Sequence, residues 1–183
     1  MSLTLEQVLI EAINDEYKAQ ATYDRVIKAF GAIRPFINIV KAEGRHIQAL
    51  VSLFHRYGFT IPEDNWSNQV ETPNSILDAC RTGVEAEIEN AAMYDKLLAA
   101  TREYNDVQQV LGNLQSASQD RHLPAFQRAV ERFAMGGLTI GRGNAAYSCG
   151  RGTVMNNGHG FGGGRSRRCG RGGFGGNNIN NRM

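Results

Sequence analysis

The sequence is poor in cysteine and has neither a long apolar run nor a leader pattern. Three cysteines, Cys80, Cys149 and Cys169, are too few for a disulfide framework. No stretch approaches the roughly 20 apolar residues that a membrane span needs, so no membrane is expected among its partners. The stretch Met1-Ser2-Leu3-Thr4-Leu5-Glu6-Gln7 offers no basic region followed by an apolar one, and a cytoplasmic location is the default expectation. Acid is missing from one end altogether. Residues 136–183 hold seven Arg and no Asp or Glu, a charge of +7, while residues 1–135 carry −5, so the net charge of +2 conceals two unlike segments. Sixteen of the 21 glycines also fall in 136–183. The expected organisation is an acidic globular domain over 1–135 and a Gly-, Arg- and Asn-rich tail over 136–183.

The first segment is built around Glu43-Gly44-Arg45-His46, a Glu-x-x-His pair inside an apolar helical pattern. Positions three apart share one face of a helix, and here that face also carries Phe36, Ile39, Val40, Ile47, Leu50, Phe54 and Tyr57. A carboxylate and an imidazole therefore point into the core. Burying an ionised carboxylate unpaired costs several kcal/mol, so another side chain or a metal has to answer Glu43.

Three more helices follow from periodicity. One runs from about Thr4 to Phe30, opened by a Thr4/Gln7 capping box and stopped by Gly31. The Glu43 helix runs from Pro35 to Tyr57 and stops at Gly58. A long connection, Phe59 to Pro73, leads to a helix from Asn74 or Ser75 to Thr101. A short polar turn then leads to a continuous helix from Asp106 to Ala134. Short, long and short connections predict an all-α four-helix bundle with a helix 2–helix 3 crossover. The halves repeat: Glu16 followed by Tyr23-Asp24-Arg25-Val26-Ile27 aligns without gaps on Glu87 followed by Tyr94-Asp95-Lys96-Leu97-Leu98.

Each helix places one or two polar residues on its apolar stripe: Glu16, Glu43 with His46, Glu87, and His122. Their depths agree. Glu87 lies 17 residues before Tyr104 and His122 lies 18 after it, each about 26 Å along its helix. A lone inward Glu or His is ordinarily a hydrogen-bonded core residue. Five from four helices at one depth instead suit a divalent first-row metal, iron foremost and manganese next. A di-iron bundle site uses one Glu from each of two helices and Glu-x-x-His from the other two. The fourth helix breaks that pattern, because Gln119 stands three before His122, and a second metal position should then be weak or absent. Tyr23, Tyr94 and Cys80 read as core, and His55, Asp15, Asp24, Glu85, Glu89 and Asp120 as off the stripe. Gly44 makes room either for a neighbouring helix or beside a metal.

At Asp15-Glu16-Tyr17-Lys18-Ala19, Glu43-x-x-His46, Gly83-Val84-Glu85-Ala86-Glu87 and Ser118…His122-Leu123-Pro124-Ala125-Phe126, the chain resembles the ferritin-like superfamily of ferritins, bacterioferritins and rubrerythrins. It looks closest to an uncharacterised bacterial and archaeal branch. The resemblance covers residues 1–135. It implies a non-haem di-iron carboxylate site, with Glu16 and Glu87 as terminal ligands, Glu43 as the bridge, and His46 and His122 as one nitrogen ligand per metal. It also implies oxidation of ferrous iron by oxygen, or reduction of peroxide. Ferritins likewise carry Gln in the fourth helix. The paired Cys-x-x-Cys motifs of the rubrerythrin electron-transfer module are missing, so a peroxide reductase would need an external donor. The competing expectation is a structural protein with a degenerate site, whose tail drives homo-oligomer assembly. In the tail, Cys149-Gly150-Arg151-Gly152 recurs as Cys169-Gly170-Arg171-Gly172 with His159 midway. Composition favours a flexible extension over an Arg/Gly nucleic-acid binder.

Overall fold

The computed structural model describes residues 3–136; the tail with Cys149, His159 and Cys169 lies outside them. The described residues are all-α, with no strand among them. Helix α1 spans Leu5–Phe30 and α2 spans Phe36–Tyr57; α3 spans Ile76–Ala100, α4 Asn105–Ala117 and α5 Leu123–Ala134.

Local chemistry sets the ends. Thr4 caps α1 in a full capping box, its hydroxyl accepting from the Gln7 N–H while the Gln7 side chain accepts from the Thr4 N–H. Gly58 closes α2 in the left-handed conformation at φ 70°, where its N–H reaches the last carbonyls. Ser75 caps α3, accepting from the Asp78 N–H at 3.0 Å.

The fourth helical segment is not continuous. Between α4 and α5 the backbone widens into a π turn over Ser118–His122, and the Leu123 N–H donates to the Ser118 carbonyl, five residues back. Pro124 supplies the reason. It has no N–H to offer the preceding turn, and in a regular helix its ring would press on the carbonyl four residues before it; a wider turn relieves both.

Two apolar layers fill the interior. One holds Leu9, Ile13, Leu50, Phe54, Tyr94 and Leu111, and the other Tyr23, Val26, Phe36, Cys80, Phe126 and Ala129. The chain traverses them in opposite directions, first to second in α1 and second to first in α2 and α3. The connection from α2 to α3 starts at the first layer and ends at the second. It runs beside α1: Trp66 Nε1 donates to Asn14 Oδ1 at 3.4 Å, and Arg25 donates to the Ser67 carbonyl at 2.8 Å. A short 3-10 turn, Trp66–Asn68, lies midway along it.

Candidate metal centre

The polar residues sit between the two apolar layers. Glu16 falls between Ile13 and Tyr23, Glu43 between Ile39 and Ile47, Glu87 between Cys80 and Tyr94, and His122 between Leu114 and Phe126. Glu16, Glu43, Glu87 and His122 are all at most 5% exposed, while the His46 side chain is 14% exposed. The structure thus brings together all five residues singled out by the stripe pattern.

Glu43 is central. Its Oε2 lies 2.8 Å from His46 Nδ1 and its Oε1 lies 3.3 Å from His122 Nδ1. His46 Nδ1 also lies 3.1 Å from Glu16 Oε2, and His122 Nδ1 lies 3.5 Å from Glu87 Oε1. The two rings stack with centroids 5.6 Å apart. Glu43, His46 and His122 each offer one ligand atom, and these atoms lie within 4.8 Å of one another. One carboxylate oxygen and two imidazole nitrogens suit iron, manganese or zinc, so the donor set fits the expected kind of ion. Glu16 and Glu87 flank the trio as further oxygen donors.

The outer partners are hydroxyls. The Tyr94 hydroxyl donates to Glu16 Oε1 at 2.6 Å, and the Tyr23 hydroxyl donates to Glu87 Oε1 at 3.1 Å. The Ser118 hydroxyl donates to Glu87 Oε2 at 2.5 Å. Burial and the facing carboxylates push both tyrosine hydroxyls well above their usual range, so they act as neutral donors. Burial pushes the Glu43 carboxyl up to about 9, against the pull of His46. Burial alone would lower His46, but its hydrogen bonds to Glu16 and Glu43 outweigh that and bring it up to about 9. The metal-free cluster therefore keeps protons where an ion would bring positive charge.

Two expectations need correcting, those for Gln119 and Asp15. Gln119 does not face the centre; it is exposed, and buried Ser118 takes the inward place. The cause is the π turn, which the smooth 3.6-residue period could not reveal, although Pro124 inside the pattern was the available signal. Tyr23 and Tyr94 are core residues, as expected, and their hydroxyls in addition donate to the site carboxylates. Asp15 is only half off the stripe: its Oδ2 accepts from Asn90 Nδ2 at 2.5 Å, and burial followed by the neighbouring Glu16 charge raises it to about 6. It lines, with Glu16, Glu87 and Ser118, a cavity of about 390 Å³ that reaches the cluster from the α1–α3 side. His55, Asp24, Glu85, Glu89 and Asp120 are exposed, as the pattern predicts.

No family model matches the chain, and no curated protein does. Its fold is similar to the crystal structure of a hypothetical protein from Methanococcus jannaschii DSM 2661, with a TM-score of 0.63 over 70% of this chain and 81% of that one, at 24% identity.

Proposed function

We propose that the chain is a ferritin-like four-helix bundle that binds iron between its helices and oxidises ferrous iron with oxygen or reduces peroxide. The observation that carries this reading is the convergence of two imidazole Nδ1 atoms on Glu43, in a buried layer that every helical segment supplies. Bound iron would supply the electron-transfer chemistry. The residues of the chain would hold the ion through Glu43, His46 and His122, keep Glu16 and Glu87 aimed inward through Tyr94 and Tyr23, and shield the site with an apolar layer on each side. Manganese fits the same donors. The two tyrosines are fixed as hydrogen-bond donors and need not take part in redox steps.

A second reading has its own support. Without any ion, Glu16, Glu43 and Glu87 already have partners in His46, His122, Tyr94, Tyr23 and Ser118, so the network can stand as a structural core polar layer. In that case the protein is a scaffold, and assembly into a homo-oligomer is its task.

Loading with ferrous iron under anaerobic conditions, removing free metal and then admitting oxygen or peroxide separates the two. Retained iron that turns ferric faster than iron in buffer supports the first reading. Protein that retains none supports the second.

A further inference from the structure

The fourth helical segment departs from the regular helix at the metal centre itself. A π turn advances by roughly 80° per residue, so the residue three before His122 is turned about 115° away from it, while the residue four before is only about 35° away. Buried Ser118 and exposed Gln119 follow that geometry. The inward position opposite the Glu43–His46 pair therefore carries a hydroxyl instead of a carboxylate.

Ser118 also engages its neighbour. Its hydroxyl donates to Glu87 Oε2 at 2.5 Å, while Tyr23 donates to Glu87 Oε1 at 3.1 Å. Both oxygens of Glu87 are thus occupied by neutral donors. Two divalent ions would bring four positive charges against the three carboxylates of Glu16, Glu43 and Glu87, and a serine adds none. Glu43, His46 and His122 form the one cluster of three ligating groups among the described residues.

We propose that this is a centre for a single metal ion, held by Glu43, His46 and His122, and that Ser118, set inward by the π turn, is the residue that denies a second ion its carboxylate. The inference rests on the metal-binding reading above and fixes its stoichiometry. What matters at this position is the carboxylate it lacks, not the hydroxyl it carries, so removing the hydroxyl alone leaves the stoichiometry at one.

The test is an anaerobic titration of the full-length protein with Mn²⁺, counting bound ions per chain and recording the electron paramagnetic resonance spectrum. Wild type and Ser118→Ala should each bind one ion, with the six-line spectrum of an isolated Mn²⁺. Ser118→Glu should bind two, with the spectrum of an exchange-coupled pair; the adjoining cavity of about 390 Å³ gives the longer side chain room. Helix content by circular dichroism confirms that each variant is folded, and Ser118→Asp serves if the glutamate variant is not. Two ions per wild-type chain would overturn the single-ion centre while leaving metal binding intact. One ion in a folded acidic variant would overturn the role of Ser118. No bound ion in wild type would overturn the metal-binding reading, and this inference with it.

Discussion

The Tyr23 hydroxyl on α1 donates to Glu87 on α3 at 3.1 Å, and the relation is reciprocal, because Tyr94 on α3 donates to Glu16 on α1 at 2.6 Å. In each helix the tyrosine follows its own glutamate by seven residues, about 10 Å along the axis. Helical side chains lean toward the N-terminus, so each ring reaches back to the polar layer. There it meets the glutamate of the other helix. The internal repeat thus becomes a crossed pair of hydrogen bonds that locks α1 to α3 beside the site.

Removing either hydroxyl should therefore weaken the fold as well as the site. Tyr94→Phe and Tyr23→Phe each leave a buried carboxylate short of a donor, at a cost of about 1–2 kcal/mol. Tyr94→Phe should cost more, since its bond is shorter. Urea denaturation of the metal-free protein reads both; two variants as stable as wild type would contradict the crossed pairing.

Glu43→Gln keeps the shape of the side chain and removes its charge. It should leave the helices folded and weaken metal binding by at least a hundredfold, because both imidazoles lose the one carboxylate they share. Isothermal titration with Mn²⁺ checks it. Unchanged affinity would remove Glu43 from the centre.

Two of the mid-helix glycines, Gly44 and Gly83, should part company. A Cβ on Gly83 would lie 2.8 Å from the fully buried Phe126 ring, so Gly83→Ala should destabilise by about 1–3 kcal/mol. A Cβ on Gly44 would meet only the end of the Gln20 side chain, at 3.1 Å. Gly44 thus faces a flexible side chain of α1, and Gly44→Ala should be neutral or stabilising by up to about 1 kcal/mol. Thermal melts check the packing: the melting temperature should fall for Gly83→Ala and stay level or rise for Gly44→Ala.

Metal-free protein should lose stability as pH rises. Glu43 goes from 4.5 to about 9 on folding, chiefly by burial, and His46 from 6.5 to about 9, where its hydrogen bonds to Glu16 and Glu43 overcome burial. In both, the folded chain holds its proton more tightly than the unfolded one. The His46 contribution is complete below about 6.5 and lost as pH passes about 9; the Glu43 proton works in the same direction from about 4.5 upward. The melting temperature should fall between about pH 6 and about pH 9, and bound metal should reduce that fall by displacing the protons. A melting temperature that rises over this range in metal-free protein would contradict the assignment.

Much of this was legible in the sequence, for a physical reason. Apolar residues at helical spacing mark which face is buried, and a Glu or His on that face must be buried too. That logic found Glu16, Glu43, His46, Glu87 and His122, and the Thr4 cap with the glycine stops at Gly31 and Gly58 gave both ends of α1 and the close of α2. It failed where the helical period itself changed. The π turn shifts the inward position from Gln119 to Ser118, and only Pro124 hinted at it. The tyrosine bonds were hidden for a different reason: periodicity tells which way a ring points, not which distant carboxylate its hydroxyl meets.

The central claim is that an ion sits between Glu43, His46 and His122. The most direct measurement is an anomalous-difference map, recorded at the iron absorption edge, from crystals soaked anaerobically with ferrous iron. The account predicts one strong peak within bonding distance of His46 Nδ1, His122 Nδ1 and a Glu43 carboxylate oxygen. A map with no peak there, from crystals soaked to saturation, would contradict it.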